Sequence, residues 1–289
     1  MSGQFLQRRN SLLKQRIISA IVMAMVMGSA IILLPPELLG WVFAVLVLIG
    51  AWEYSAMAGL QRPVPRSLFT LGCALLMWAS QYYTGVYTLA ADELRLRDIM
   101  GLAGLWWAVA LLWVVAYPAS AALWGSVLMR IGMGLLTLVP AWLALVYLRG
   151  QEHGVALILL LIAIVVAADT GAYFAGRAWG DAKLAPAVSP GKSWAGFWGG
   201  LTASTALSIL VWLQWWRGDW SLGALLSLVA VTSLASVLGD LVESMMKRQR
   251  GIKDSGTILP GHGGIMDRLD SITAAAPVFA LGIILIGAQ

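Results

Sequence analysis

The residues with the clearest potential for chemistry lie in one polar segment, residues 244–270, which reads SMMKRQRGIKDSGTILPGHGGIMDRLD. It contains five Lys or Arg, three Asp and one His among several glycines, and it lies between two strongly apolar segments. Cations and a flexible backbone suit a polyphosphate, and carboxylates at both flanks suit a divalent metal ion on the same phosphates. The pattern therefore predicts phosphoryl-transfer chemistry at a membrane surface.

The predicted helix before the polar segment carries a polar stripe. Asp240, Glu243, Ser244 and Lys247 are spaced i, i+3, i+4 and i+7, so they share one helix face. An ionised carboxylate at the centre of a bilayer costs on the order of 3 kcal/mol, so such a group is expected to face a wet cavity or a cation. The alternative to a functional site is an ordinary helix-end cluster in which Lys247 pairs with Glu243.

Carboxylates on two helices are the predicted metal ligands. We expect Asp240 and Asp267 to hold Mg²⁺ between the eighth and ninth apolar segments, with Asp169 and Asp270 as weaker candidates. Capping of free backbone N–H groups is an alternative role for Asp270. Hydrogen bonding to the turn at Tyr173 is the alternative for Asp169.

Basic residues, glycines and hydroxyls complete the predicted site. The predicted catalytic residues are Lys247, Arg248, Lys253, His262 and Arg268. The predicted substrate-binding residues are Ser189, Lys192, Ser244, Gly263 and Gly264. Arginine binds phosphate through two parallel hydrogen bonds and lysine as a point charge, while glycine lets backbone N–H groups approach oxygens closely. Some of these cations could instead reflect the usual excess of Lys and Arg in cytoplasmic loops. His262 could instead form a hydrogen bond that braces the loop.

Two blocks of this sequence resemble the phosphatidate cytidylyltransferases, the integral-membrane enzymes that make CDP-diacylglycerol from CTP and phosphatidate. The first block contains Ser244, Lys247-Arg248, Lys253-Asp254, Gly256, Leu259-Pro260, His262-Gly263-Gly264, Asp267-Arg268 and Asp270. The second contains Asp169 to Tyr173, Gly176-Arg177, Lys183-Leu184 and Ser189 to Ser193. Ala195 departs from the acidic residue of many relatives. The resemblance implies Mg²⁺, a second cation such as K⁺, and a homodimer.

The resemblance also implies a reaction. A phosphate oxygen of phosphatidate is expected to attack the α-phosphorus of CTP (or dCTP) and to expel pyrophosphate, with no covalent enzyme intermediate. A CTP-dependent polyprenol kinase, an ether-lipid cytidylyltransferase and an ion-coupled transporter are the alternatives. A P-loop is excluded, because Pro186 stands where the first glycine of that motif would be.

Composition predicts an all-α, polytopic membrane protein. The 289 residues are 60% hydrophobic and 11% charged, with a mean hydropathy of +0.82. A membrane-spanning helix needs roughly 20 mostly apolar residues. About nine segments qualify, near residues 17–34, 40–58, 68–90, 99–117, 131–148, 154–175, 196–216, 221–245 and 270–288.

The loop charges predict the orientation of these segments. With the N-terminus in the cytoplasm, all but four of the 19 Lys and Arg residues lie on the cytoplasmic side. The four outside are Arg95, Arg97, Arg149 and Arg217. We therefore expect a multi-pass protein of the inner or plasma membrane whose polar segment faces the cytoplasm. The first apolar run continues to Leu34, which favours an anchor over a cleaved signal peptide.

Polar residues are unevenly distributed, which predicts two regions. Residues 1–153 are expected to form a transmembrane scaffold, and residues 154–289 a catalytic region with two cytoplasmic loops. The net charge of +5 suits loops that face anionic lipid, and nucleic acid is not indicated. In the scaffold, Glu53 is expected either to line a lipid entrance or to pair with Arg62 or Arg66.

Overall fold

The computed structural model describes residues 2–87, 91–216, 220–259 and 263–287. In these residues the chain forms ten α-helices and one two-stranded antiparallel hairpin. The helices are α1 (Ser2–Leu33), α2 (Pro36–Ala58), α3 (Pro63–Thr84), α4 (Glu93–Val115), α5 (Ala121–Trp124), α6 (Val127–Gly150), α7 (Gly154–Trp179), α8 (Trp194–Val211), α9 (Leu222–Arg250) and α10 (Met266–Gly287). The strands are β1 (Lys183–Ala185) and β2 (Ser189–Ser193), and α8 continues as a π-helical turn, Trp212–Trp216.

Local sequence determines where several helices begin and end. Pro36 and Pro63 lie at the starts of α2 and α3, where proline's missing N–H is not needed. The hydroxyls of Ser126 and Ser193 accept hydrogen bonds from backbone N–H groups at the starts of α6 and α8. Gly251 ends α9 with a φ of 66°, a left-handed conformation that glycine adopts without strain.

The prediction of an all-α, polytopic membrane protein is confirmed. Among the described residues, seven helices are long and apolar enough to cross a bilayer, namely α2, α4, α6, α7, α8 with its π-helical turn, α9 and α10. Each of the nine predicted segments overlaps a helix, but α1 has only a shorter apolar stretch and α3 is not among the seven. The count of nine and the cytoplasmic N-terminus stay predictions.

Helix α6 lies at the centre of the bundle. Every residue from Thr137 to Leu148 is buried, and α6 packs against both α2 and α10. The Trp142 indole donates a hydrogen bond of 3.1 Å to the Gly40 carbonyl of α2. Helix α6 therefore joins an early helix to the last one, and the division at residue 153 stays a prediction.

Helices α7 and α8 approach each other closely through small residues. A Cβ atom at Gly200 would lie 2.5 Å from the Ala168 carbonyl, and one at Gly171 would lie 2.6 Å from the Ala203 Cβ. Small residues allow such contact between membrane helices. This packing places Asp169 beside the β1–β2 hairpin, which occupies part of the predicted cytoplasmic loop.

Candidate active site

A polar cavity of about 230 Å³ lies where the hairpin meets α7 and α9. Its walls include Asp169, Lys192 and Asp240, which come from α7, β2 and α9. The Lys192 Nζ lies 2.6 Å from the Asp240 Oδ2, and both side chains are partly exposed. The Ser244 hydroxyl donates a long hydrogen bond of 3.3 Å to the other Asp240 oxygen. The structure thus brings four predicted site residues from distant parts of the sequence together.

A second group of charges lies one to two turns further along α9. The Lys247 Nζ lies 3.0 Å from the Glu243 Oε2 and 2.7 Å from the Asp267 Oδ1. These three side chains are only 12%, 2% and 9% exposed. Because a buried charge is stable only when it is paired, Lys247 holds the two acids together and joins α9 to α10. The Glu243–Lys247 pair given above as an alternative is present, and Lys247 pairs with Asp267 as well.

Asp270 lies on α10 where that helix packs closely against α9. Its carboxyl is within electrostatic reach of Asp240 and Glu243, and its Oδ1 accepts a hydrogen bond of 2.8 Å from the Ser271 N–H. Gly239 makes this approach possible, because a Cβ there would overlap the Asp270 carbonyl. The backbone of Asp270 therefore packs against α9 one residue before Asp240.

Asp267 also fixes the backbone of the polar segment. Its Oδ2 accepts hydrogen bonds from the backbone N–H groups of Ser255, at 3.0 Å, and Gly264, at 2.8 Å. Gly263 has a φ of 87°, which favours glycine and turns the chain into α10. Asp267 is therefore a structural anchor of the polar segment, whether or not it also contacts a metal ion.

Sequence reasoning did not identify the second anchor of the polar segment, Glu53 of α2. This side chain is buried, and its Oε2 accepts hydrogen bonds from the Ser255 hydroxyl, at 3.2 Å, and the Met266 N–H, at 2.8 Å. Its Oε1 is buried without a hydrogen-bond partner among the described residues. Neither predicted arginine partner forms an ion pair with Glu53 in the described part of the chain. Arg66 instead donates to the Trp52 carbonyl at 2.8 Å.

Glu53 leaves no room for a side chain at two positions of the polar segment, and both positions are glycines. A Cβ at Gly256 would overlap the Glu53 Oε1, and one at Gly264 would overlap the Glu53 Oε2 and the Ser255 hydroxyl. The sequence does contain a signal that could have indicated this contact. An acid lies in an apolar helix, and the polar segment contains glycines that no obvious turn requires.

Replacing Gly256 by Ala is expected to destabilise the polar segment by about 1–3 kcal/mol, since the Glu53 carboxyl is held by two hydrogen bonds and cannot move away without losing them. Thermal unfolding in detergent measures the effect. Gly223→Ala is the control, because a Cβ there meets open space. In a Glu53→Ala background the cost of Gly256→Ala should largely disappear, and equal costs in both backgrounds would contradict the contact.

The remaining predicted residues lie around this centre. The Arg248 Nε donates a hydrogen bond of 3.2 Å to the Val188 carbonyl, which ties α9 to the hairpin. Ser189 pairs with Ala185 at the start of β2. Lys253, within the polar segment, and Arg268, near its end, are exposed. His262 lies outside the described residues.

Comparison with known proteins assigns the chain to a family. The model of the cytidylyltransferase family matches residues 14–286. The chain belongs to the cytidylyltransferase family. A phosphatidate cytidylyltransferase of Pseudomonas aeruginosa is 45% identical over 93% of this chain and 96% of the relative. A phosphatidate cytidylyltransferase of Haemophilus influenzae is 39% identical over 93% of this chain and 98% of the relative. One of Mycobacterium leprae is 48% identical over 44% of this chain and 40% of the relative.

The donor atoms of this cytidylyltransferase-family site fit a hard divalent cation. Asp240, Asp270 and Glu243 supply carboxylate oxygens, the ligands that Mg²⁺ prefers, and the Glu243 Oε1 is buried without a partner among the described residues. In the same residues, no three acidic, His or Cys side chains are already arranged around one point. Asp240 forms an ion pair with Lys192, and Asp267 forms one with Lys247. The predicted Asp240–Asp267 metal pair stays a prediction.

Proposed function

We propose that the protein transfers the CMP group of CTP to phosphatidate, which gives CDP-diacylglycerol and pyrophosphate. The observation that carries this proposal is the contact between Lys192 and Asp240, at 2.6 Å. Asp240 also accepts a hydrogen bond from Ser244, so it links Lys192 of the second resembling block to Ser244 of the first, beside one polar cavity and among helices suited to a membrane. The names of the relatives that cover 93% of the chain support the same reaction.

In the proposed reaction, a phosphate oxygen of phosphatidate forms a bond to the α-phosphorus of CTP. The bond from that phosphorus to the oxygen of the β-phosphate breaks, and pyrophosphate leaves with the electron pair. The phosphate monoester is already an anion near neutral pH, so the protein needs neither a nucleophile nor a strong base. Catalysis then depends on holding the two substrates in line and on neutralising their charge.

The cations are proposed to divide these tasks. Lys192 lies in the polar cavity and is proposed to contact a substrate phosphate, releasing Asp240. Lys253 and Arg268 are exposed in the polar segment and are proposed to bind the outer phosphates of CTP. Arg248 and Lys247 are engaged with the protein and position the hairpin and the polar segment.

We propose that Asp240 and Asp267, with Asp270 and Asp169 as further candidates, hold Mg²⁺. When bound, the ion supplies positive charge to the phosphates as pyrophosphate leaves. A second cation, a homodimer, an inner-membrane location and a cytoplasmic site belong to the same proposal, and they rest on the family resemblance and on the loop charges.

The purified protein in detergent should release pyrophosphate from CTP only when Mg²⁺ and phosphatidate are both present. Diacylglycerol, a polyprenol and an ether-linked phospholipid precursor are the comparison lipids. Pyrophosphate release that requires the ether-linked precursor would favour an ether-lipid cytidylyltransferase, whereas CDP formation with diacylglycerol or a polyprenol would identify a CTP-dependent kinase. Neither pyrophosphate nor CDP with any lipid, from protein that remains folded, would contradict the proposal and lead to ion-flux measurements in liposomes.

A further inference from the structure

A second cavity, apolar and larger, adjoins the polar one. Its volume is about 400 Å³, within the range of small-molecule sites. The two cavities share Leu184, Phe197 and Val237 in their walls, so an apolar space lies directly beside a charged one.

The apolar cavity is elongated along the helices. Its α9 wall extends from Leu241 to Leu234, and its α4 wall extends from Val115 back to Leu111. At 1.5 Å per residue, the α9 wall is about 10 Å long. Asp240 lies at the end of this wall nearer the polar segment, so the cavity extends away from the charged site and into the apolar part of the bundle.

One side of the cavity is closed and the other is open. Val188 and Leu238 are 1% and 6% exposed, whereas Val115 and Leu234 are 76% and 44% exposed. Exposed apolar residues on membrane-spanning helices face lipid tails. The cavity is therefore a groove that opens sideways toward the hydrocarbon of the bilayer.

The hairpin turn covers the end of the groove beside the polar cavity. Ala185, Pro186 and Ala187 line the groove, and the Arg248 hydrogen bond to the Val188 carbonyl holds the turn against α9. The turn therefore closes part of the groove close to Lys192, which follows it on β2.

We propose that the groove binds one acyl chain of phosphatidate, with the phosphate of the same molecule beside Lys192. This inference rests on the proposed function and adds the location of the lipid tail. Lys192 attracts the anionic headgroup, the apolar walls accept the chain, and the open side gives access from the bilayer. The groove then makes the reaction depend on the length of the acyl chain.

Leu111→Trp tests the proposal by filling part of the groove from α4. Leu112→Trp is the matched control, because Leu112 is 67% exposed on the same helix and does not line the groove. Leu111→Trp should lower kcat/KM for dioctanoyl phosphatidate, whose chains are long enough to fill the groove, about tenfold relative to dibutanoyl phosphatidate, whereas the KM for CTP should not change. The control should keep the wild-type ratio between the two lipids.

A second pair of variants covers the case in which Leu111→Trp does not fold. Leu234→Trp fills the groove from α9, and Leu226→Trp is its control, since Leu226 is exposed on α9 outside the groove. Equal changes for both lipids, or no change, would overturn the acyl-chain site. A change of oligomeric state in light scattering without a change in the lipid ratio would assign the groove to a second copy of the chain. Failure of the wild type with every phosphatidate would instead contradict the proposed function.

Discussion

Asp240→Asn is expected to lower the rate of CDP-diacylglycerol formation about 10²–10³-fold while the protein remains folded. Asp240 is the acid at the junction of the two sequence blocks, and its carboxylate contacts Lys192 at 2.6 Å in the polar cavity. Asn keeps the shape but removes the negative charge, so it neither orients Lys192 equally well nor offers a hard anionic ligand to a metal ion. Both side chains are partly exposed, and the loss of stability should therefore be small.

Product formation under saturating CTP and phosphatidate, with thermal unfolding measured in parallel, tests this expectation. Asp181→Asn is the matched control, since Asp181 is exposed just before the hairpin and does not line the polar cavity. An Asp240→Asn protein with wild-type activity would remove Asp240 from the site. It would leave the family assignment intact.

Lys247→Met is expected to destabilise the protein by about 3–5 kcal/mol and to abolish activity. The substitution keeps most of the side-chain volume but leaves Glu243 and Asp267, which are 2% and 9% exposed, without their shared cation. Asp267 also holds the backbone of Ser255 and Gly264, so its displacement should loosen the polar segment. Chemical or thermal unfolding in detergent measures the loss.

Two further variants separate charge from packing at this position. Lys183→Met, at an exposed lysine of the hairpin, should change stability little. Adding Glu243→Gln to Lys247→Met removes one of the two unpaired acids and should recover part of the lost stability, without recovery of activity. A Lys247→Met protein as stable as the wild type would show that the buried ion group does not hold α9 to α10.

The helical architecture was predictable because membrane helices follow from composition. A run of roughly 20 apolar residues has few structures available in a bilayer, so the positions of α4, α6, α7, α9 and α10 follow from hydropathy alone. The β1–β2 hairpin was not predicted, since eight strand residues in a Gly- and Pro-rich loop give no periodic signal.

Part of the site was also predictable. The spacing of Asp240, Ser244 and Lys247 on one helix face indicated a polar stripe, and the structure places all three in contact with other polar side chains. The partners of these residues were harder to infer, because they depend on how helices pack. The structure adds Lys192 as the partner of Asp240, and it shows Asp267 bound to backbone N–H groups.

Glu53 shows why long-range contacts escape sequence reasoning. It contacts Ser255 and Met266, which are 202 and 213 positions away. The local sequence offered nearer arginines as partners, and only the packing of α2 against α10 brings the acid to the polar segment. Burial of this carboxylate is then explained by two hydrogen bonds instead of an ion pair.

Following the α- and γ-phosphorus atoms of CTP into the products tests the central claim most directly. Purified protein, Mg²⁺ and phosphatidate would be incubated in parallel with CTP labelled at the α-phosphate and with CTP labelled at the γ-phosphate. Cytidylyl transfer predicts that the α label enters the lipid and the γ label leaves in pyrophosphate. Transfer of the γ label to a lipid would identify a kinase instead, and a lipid fraction free of both labels would contradict the proposed function.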